Sequence, residues 1–245
     1  MTVTQSMEMK TFESVEALAQ NAAEWLYAVA ESSEGDFGVC LSGGSTPRRL
    51  YELLATPPIA SRFPWTRAHW FWGDERFVPH DNPESNYRMA RDAFLSRVSP
   101  PSNHVHPVAT ENLSPDQAAA AYETTLKKFY GADLLTASRP LFDVTLLGIG
   151  EDGHTASLFP GESALTETRR WVVAVNSPKY GRRITLTYPA LNSSRHVVFL
   201  AAGQGKRQVV ARAQSGDVTI PAAMIRPVGS LYWFLDRAAM PGGAN

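Results

Sequence analysis

The chain has few of the sequence features that are typical of disulfide-bonded, membrane-spanning or nucleic-acid-binding proteins. Its single cysteine, Cys40, excludes an internal disulfide and leaves the cytoplasm as the default compartment. Apolar runs such as HVVFLAA at 196–202 have the length of a strand, whereas a membrane-spanning helix needs about 20 residues. The first ten residues lack the basic start and apolar core of a signal peptide. A formal net charge of −1 gives no general attraction to nucleic acid or anionic lipid, so we expect neither as a partner.

Several catalytic and metal-binding signatures are missing as well. There is no Gly-x-Ser-x-Gly elbow, which argues against a serine hydrolase of that type. No two histidines have the spacing of zinc ligands on a helix, and with one cysteine we expect no structural metal site. The glycine-rich segment LSGGSTP at 41–47 lacks the Lys-Ser/Thr ending of the loop that binds nucleotide triphosphates.

Helix-type and strand-type segments alternate along the chain at spacings typical of βα units. This alternation predicts an α/β fold with a mostly parallel sheet flanked by helices on both faces, that is, doubly wound. We expect one domain over 1–245, with a flexible tail at 241–245. Serine or threonine caps are predicted for three helices, at Ser45 or Thr46, at Ser85 and at Ser114. The predicted helices are 15–31, 46–55, 85–98, 115–130 and 203–215. The predicted strands are 36–42, 141–150, 171–175, 182–187, 196–202 and 230–236, together with a strand in 67–75 that runs into the loop at 73–76.

Four polar or glycine-rich loops follow predicted strands. They contain Gly43 and Gly44, the sequence GDER at 73–76, residues 148–154, and residues 203–206. Ligands of parallel α/β sheets bind where the loops at the carboxyl ends of the strands converge. We therefore expect these four loops to form one site.

The first of these loops, within LSGGSTP at 41–47, suits an anion. Gly43 and Gly44 allow a ligand to approach the backbone, and the N–H groups of a helix start favour negative charge. Ser45 and Thr46 could add hydroxyl donors to a phosphate. The same letters also fit a plain strand-to-helix turn with a polar cap, and this segment alone does not decide between the two.

The second loop, within WGDERFVP at 72–79, places an acid beside an arginine. Asp74 could orient a base or a substrate hydroxyl, and the guanidinium of Arg76 could bind a phosphate or carboxylate. A solvated charged turn is the alternative interpretation. In the nearby ESNYR at 84–88, Ser85 fits a helix cap better than a catalytic group.

The third loop, LGIGEDGHTASLFPG at 147–161, contains the histidine best placed for general base chemistry. His154 follows a strand and three glycines, and Asp152 stands close enough to set its orientation or tautomer. A glycine-rich turn without chemistry is the alternative. His69 and His196 lie in apolar strand contexts and are expected to be structural.

Basic residues near two strand ends complete the set. Lys179, Arg182 and Arg183 stand just before an alternating strand, and Lys206 stands at a helix start. Such positions suit a phosphate, although exposed charges of this kind are more often solvated.

Taken together, these segments resemble the motif series of the 6-phosphogluconolactonases, in the same order. That family hydrolyses 6-phospho-D-glucono-1,5-lactone to 6-phosphogluconate in the oxidative pentose phosphate pathway, and it needs no metal or organic cofactor. It shares an α/β fold with glucosamine-6-phosphate deaminase and ribose-5-phosphate isomerase. The segments are LSGGSTP, WGDERFVP, ESNY, LGIGEDGHTASLFPG, RRITLT and GQGK, spanning residues 41–206.

The resemblance implies a role for each candidate residue. His154 would be the general base that activates water, and Asp152 would support it. Asp74 and Arg76 would face the substrate. The ligand-binding and phosphate-binding residues would be Gly43, Gly44, Ser45, Thr46, Arg183 and Lys206. Arg183 matches the family pattern better than Arg182, but the alternation of the strand does not settle which of the two points inward.

Two alternatives remain. An amino-sugar phosphate deaminase or isomerase shares the Gly-Gly-Ser-Thr-Pro loop and an Asp-Gly-His segment, but this chain continues with TASLFPG and carries Arg76 where that group has tyrosine. The other is a sugar-phosphate sensor without catalysis, against which the joint presence of His154, Asp152, Asp74 and Arg76 argues. We expect a small sugar-phosphate lactone as the only partner, and a monomer or a weak homo-oligomer.

Overall fold

A computed structural model describes residues 6–242 of the chain and contains nine strands in that range. Six of them form a parallel sheet in the order β1-β9-β8-β5-β2-β3, and three form an antiparallel sheet in the order β4-β7-β6. The strands are β1 (Met7–Phe12), β2 (Phe37–Leu41), β3 (Ala68–Trp72), β4 (Asp74–Arg76), β5 (Phe142–Leu147), β6 (Val172–Ser177), β7 (Gly181–Leu186), β8 (Ser194–Ala201) and β9 (Ser230–Asp236).

Helices connect most of these strands, as the alternation predicts. None of the helices in residues 6–242 is long and apolar enough to cross a membrane. The α-helices are α1 (Val15–Ser32), α2 (Ser45–Leu54), α3 (Ile59–Arg62), α4 (Asn86–Ala90), α5 (Ser96–Val98), α6 (Pro115–Tyr130), α7 (Tyr188–Asn192) and α8 (Arg207–Gln214). A π-helical turn, Arg91–Leu95, joins α4 to α5, and 3₁₀ turns cover Ser102–His104, Ser163–Thr166, Gln204–Lys206 and Pro221–Met224.

Two of the three predicted caps are confirmed. Ser114 and Gln117 form a capping box at the start of α6, and Ser85 accepts a hydrogen bond of 3.1 Å from the backbone N–H of Arg88 at the start of α4. The third prediction is wrong, because α2 begins at Ser45 and its N-cap is Gly44, with φ +108°. A side chain is disfavoured at such a φ, so glycine takes the position and Ser45 and Thr46 lie in the first helical turn.

The strand order of the large sheet creates a crevice between β2 and β5. From β2 the chain passes to β3 on one side, then crosses back so that β5, β8 and β9 follow on the other side. The loops after β2 and β5 therefore leave the sheet in opposite directions. Such a reversal is where doubly wound sheets bind their ligands.

The small antiparallel sheet is the main departure from the prediction. Residues 73–76 were expected to form a loop, but Asp74–Arg76 is the strand β4, which pairs with β7. Strands β6 and β7 form a hairpin rather than members of the parallel sheet. A strand of three residues has no recognisable alternation, and its partner lies more than a hundred residues later, so local pattern cannot identify it. The edge strand β1 was not predicted either.

The two sheets share one cluster of buried apolar side chains. Cys40 is fully buried in this cluster, and burial raises the pKa of its thiol, which fits the predicted structural role. The shared core supports the expectation of a single domain, which stays a prediction. Of the tail predicted to be flexible, residues 243–245 lie outside the described residues.

We expect Ser114→Ala to lower the free energy of unfolding by about 1 kcal/mol, because the N–H of Gln117 at the start of α6 loses its acceptor. Urea unfolding of the wild type and the variant measures the difference. The exposed Ser102 offers a matched control, since its replacement by alanine should cost less than about 0.5 kcal/mol. Equal losses in both variants would contradict the capping role.

Candidate active site

A cleft of about 430 Å³ lies where the loops of the large sheet meet the small sheet. It is of the size that small-molecule ligands occupy in other proteins. Nine of the ten predicted site residues line it, and the tenth, Asp152, lies behind His154. The nine are Gly43, Gly44, Ser45, Thr46, Asp74, Arg76, His154, Arg183 and Lys206.

Asp152 holds the imidazole of His154 from behind. Its Oδ1 lies 2.6 Å from His154 Nδ1 and also accepts the backbone N–H of His154 at 3.2 Å. An ionised carboxylate can only accept, so Nδ1 carries the proton and Nε2 keeps its lone pair. Within residues 6–242 no side chain or backbone group hydrogen-bonds Nε2. The ring is 27% exposed. His154 therefore has the tautomer of a general base.

Tyr180 holds the other carboxylate oxygen of Asp152. The sequence analysis did not predict this residue. Its hydroxyl donates to Asp152 Oδ2 at 2.5 Å. Burial raises the pKa of Asp152, but the hydrogen bonds from Tyr180 and His154 outweigh that effect and lower the pKa to about 2. Asp152 is therefore a fixed negative charge beside the imidazole at every pH near neutrality.

Two glycines let the loop of His154 fold this tightly. Gly150 lies directly under the imidazole, where a Cβ would overlap His154 Nδ1. Its backbone N–H donates to the carbonyl of His154 at 2.9 Å, which closes the loop. Gly153 has φ +86°, and a Cβ there would also come within 2.6 Å of Ile220 Cγ2. The loop geometry thus requires glycine at both positions.

Asp74 connects the small sheet to the histidine loop. Its Oδ2 accepts the hydroxyl of Ser157 at 2.6 Å, and its backbone carbonyl accepts Asn86 Nδ2 at 2.9 Å. Asn86 in turn lies so close to Gly43 that any Cβ there would overlap its amide oxygen. All four of these residues line the cleft. Their contacts therefore hold the loop after β2, the small sheet and the histidine loop together around it. Ser157 and Asn86 were not singled out from the sequence.

Glu75, whose role the sequence left open, points away from the cleft and is fully buried. Its carboxylate accepts the backbone N–H groups of Arg76, Asn86 and Tyr87 at 2.7 to 2.8 Å, and the hydroxyl of Ser85 at 3.1 Å. Burial raises the pKa of Glu75, against the hydrogen bonds that lower it. These four donors tie β4 to the first turn of α4, so the role of Glu75 is structural.

Arg76 and Arg183 form a pair of like charges across the small sheet. They are directly opposite residues of the antiparallel strands β4 and β7. Among the described residues neither forms an ion pair with a carboxylate; Arg76 donates to the backbone carbonyl of Glu84 at 2.6 Å. Burial lowers the pKa of Arg183, and the charge of Arg76 lowers it further. Like charges in this position destabilise a sheet, and an anion between them would remove that cost.

The structure shows which of the basic side chains face the cleft, a point that the sequence left open. Arg183 lines the cleft, whereas Arg182 is exposed and lies outside it. Lys179 is exposed, with its Nζ 4.6 Å from the centre of the Tyr180 ring. Lys206 lines the cleft from the turn after β8, opposite the first turn of α2. Glu151 is exposed, as expected.

The remaining histidines of the described range lie away from the cleft. His69 stacks on both His104 and His106, with ring centroids 3.8 Å and 5.4 Å apart respectively. Burial lowers the pKa of His106 to about 4. Within residues 6–242 no group of three or more histidine, cysteine, aspartate or glutamate side chains is arranged to hold a metal ion.

Comparison with known proteins gives the same architecture. A crystal structure of 6-phosphogluconolactonase from Thermotoga maritima superposes with a TM-score of 0.81 at 30% identity, covering 95% of this chain and 100% of that one. A monomeric glucosamine-6-phosphate deaminase superposes with a TM-score of 0.77 at 21% identity, covering 95% of this chain and 98% of the other. At that identity the likeness shows the fold alone, and it confirms the predicted fold class.

Comparison of sequences identifies the family as well as the fold. A 6-phosphogluconolactonase of Nostoc sp. is 43% identical over 213 residues, which are 86% of this chain and 86% of the relative. A family model described as glucosamine-6-phosphate isomerases/6-phosphogluconolactonase matches residues 13–233. The chain therefore belongs to the family of glucosamine-6-phosphate isomerases and 6-phosphogluconolactonases.

Proposed function

We propose that the chain hydrolyses 6-phospho-D-glucono-1,5-lactone to 6-phospho-D-gluconate. One observation carries the proposal: an imidazole held by a carboxylate faces the same cleft as two arginines that form no ion pair with a carboxylate of residues 6–242. A base for water and a site for an anionic group are the two things that hydrolysis of a phosphorylated lactone needs. The relatives named 6-phosphogluconolactonase support the same reaction.

In the proposed first step, His154 acts on water. Nε2 takes a proton from a water molecule as its oxygen attacks the C1 carbonyl of the lactone. Asp152 stabilises the imidazolium that forms, because its negative charge lies 2.6 Å from Nδ1. The backbone N–H groups of Ser45 and Thr46, at the start of α2, have no acceptor within the helix and are suited to the negative charge that develops on the carbonyl oxygen.

In the second step the tetrahedral intermediate collapses. The bond between C1 and the ring oxygen breaks, and the proton held on His154 Nε2 passes to that oxygen. The products are an open-chain hydroxyl and a carboxylic acid, which ionises near neutral pH. No covalent enzyme intermediate and no metal ion take part in the proposed reaction.

The phosphate is proposed to bind away from C1, against the arginine pair. Arg183 and Arg76 line the cleft from directly opposite positions of β7 and β4, and Lys206 adds a third positive charge. Holding the phosphate fixes the distance and angle between the carbonyl and His154, which lowers the entropy cost of the reaction. Asp74, held by Ser157, is available to accept a hydroxyl of the sugar.

Several wider expectations remain predictions. They are a place in the oxidative pentose phosphate pathway, a cytoplasmic location, and a monomer or weak homo-oligomer. The amino-sugar phosphate deaminase stays the alternative within the same family, and release of ammonia from glucosamine 6-phosphate would favour it.

His154→Ala should lower kcat by about 10²- to 10⁴-fold, because water loses its base. Lactone disappearance followed by NMR, corrected for spontaneous hydrolysis, measures the effect. Equal corrected rates for wild type and variant would contradict the role of His154. A wild type that gives no acceleration would contradict the assigned reaction itself.

Arg183→Leu should lower kcat/KM by about 10- to 100-fold, through both a higher KM and a lower kcat, because a charged donor that holds the phosphate, and with it the carbonyl, is lost. The neighbouring Arg182→Leu is a matched control, since that side chain lies outside the cleft. Urea unfolding should show no loss of stability in Arg183→Leu, because the repulsion by Arg76 disappears. Similar kinetic losses in the two variants would argue against a phosphate site at Arg183.

The ionisation state of Asp152 near neutral pH can be tested directly. A carboxyl with a pKa of about 2 stays ionised above roughly pH 3 and gains its proton only as the pH falls further. We therefore expect the side-chain carboxyl ¹³C resonance of Asp152, assigned by its loss in Asp152→Asn, to keep the chemical shift of an ionised carboxylate from pH 8 down to pH 4. Movement to the chemical shift of a protonated carboxyl within this range would contradict the low pKa.

A further inference from the structure

Tyr180 lies between the cleft and Asp152, and the proposed reaction assigns it no role. It is the residue immediately before β7, at the tip of the β6–β7 hairpin, and its ring lines the cleft. Its hydroxyl donates to Asp152 Oδ2 at 2.5 Å, while Asp152 Oδ1 holds His154. The three side chains thus form one line of hydrogen bonds that ends at the base.

The ring of Tyr180 is itself held in place. It stacks on Phe159 with the ring centroids 4.2 Å apart and the planes 7° from parallel. Phe159 is buried, and it also lies 5.0 Å from the imidazole of His154. The phenol therefore approaches Asp152 from a fixed direction, which a flexible donor or a water molecule would not provide.

Asp152 needs such a partner, because its loop does little to restrain the carboxylate. Its side chain is 29% exposed and is preceded by the exposed Glu151. Within residues 6–242 the only hydrogen bonds to its carboxylate come from His154 and Tyr180. Without the phenol, Oδ2 would exchange its bond for solvent, and the carboxylate could rotate away from Nδ1.

We propose that Tyr180 is a positioning residue, which holds Asp152 and through it the orientation and tautomer of His154. The inference rests on the proposed function. It assigns to Tyr180 no proton transfer with the substrate, since its hydroxyl proton is already donated to Asp152. Its effect is on the fraction of time that Nε2 is aimed at the attacking water.

Tyr180→Phe removes the hydroxyl and keeps the ring that stacks on Phe159. We expect kcat to fall by about 10- to 100-fold, the size of effect that a misplaced catalytic group produces, with KM within about 2-fold of the wild type. Tyr188→Phe is the matched control. It also removes one hydrogen bond, from the hydroxyl to the carbonyl of Pro221, and Tyr188 does not line the cleft. Its kcat should stay within about 2-fold of the wild type.

The imidazole ¹⁵N chemical shifts of His154 give a second readout that does not depend on turnover. For the neutral imidazole of the wild type they should show a protonated Nδ1 and an unprotonated Nε2, and in Tyr180→Phe they should move toward a mixture of tautomers. Tyr188→Phe should leave them unchanged. His154→Gln assigns the signals by their loss.

The two readouts distinguish failure of the inference from failure of the proposed function. An unchanged kcat with unchanged ¹⁵N shifts in Tyr180→Phe would overturn the positioning role, and so would a rise in KM alone, which would make Tyr180 a substrate contact. If the wild type does not accelerate lactone hydrolysis, the proposed function fails. The ¹⁵N shifts still decide whether Tyr180 controls the imidazole.

Discussion

All six strands of the large sheet run in the same direction, and this constraint places every functional loop at one edge. The loops after β2, β5 and β8 carry the first turn of α2, His154 and Lys206 respectively. Because β3 ends at Trp72 and β4 begins at Asp74, the chain turns from this edge directly into the small sheet. The small sheet therefore lies beside the crevice between β2 and β5, and its residues enclose the cleft together with the loops of the large sheet.

The small sheet supplies the charges of the cleft at a cost to stability. Its strands β4 and β7 set Arg76 opposite Arg183, an arrangement that repels in the free protein. The buried contacts beneath offset that repulsion: Glu75 accepts four hydrogen bonds, and Asp74 bonds to Ser157 and Asn86. Two like charges held in place by such contacts are what the proposed binding of a phosphate requires.

Local sequence patterns predicted the residues of the candidate site that follow a strand, but not those whose position depends on distant partners. His154 and Lys206 were recognisable because glycines and basic residues at strand ends have a local meaning. Tyr180 gave no such signal, since its contact with Asp152 joins residues 28 positions apart. The adjacent Lys179 was noticed for its charge, but it is exposed, lies over the Tyr180 ring and does not line the cleft. For the same reason β4 was expected to be a loop, because only pairing with β7 makes three residues a strand.

The β6–β7 hairpin, which the sequence assigned to the wrong sheet, links the two halves of the proposed reaction. Tyr180 at its tip donates a hydrogen bond to Asp152, and Arg183, three residues later in β7, faces the cleft. Ser157 connects the histidine loop back to this sheet through its backbone N–H, which donates to the hydroxyl of Thr185 at 3.1 Å. An anion on Arg183 would relieve the repulsion by Arg76 and steady the strand that leads to Tyr180. Binding energy from a group remote from the reacting carbon would then act on the orientation of the base, where it raises kcat rather than only lowering KM.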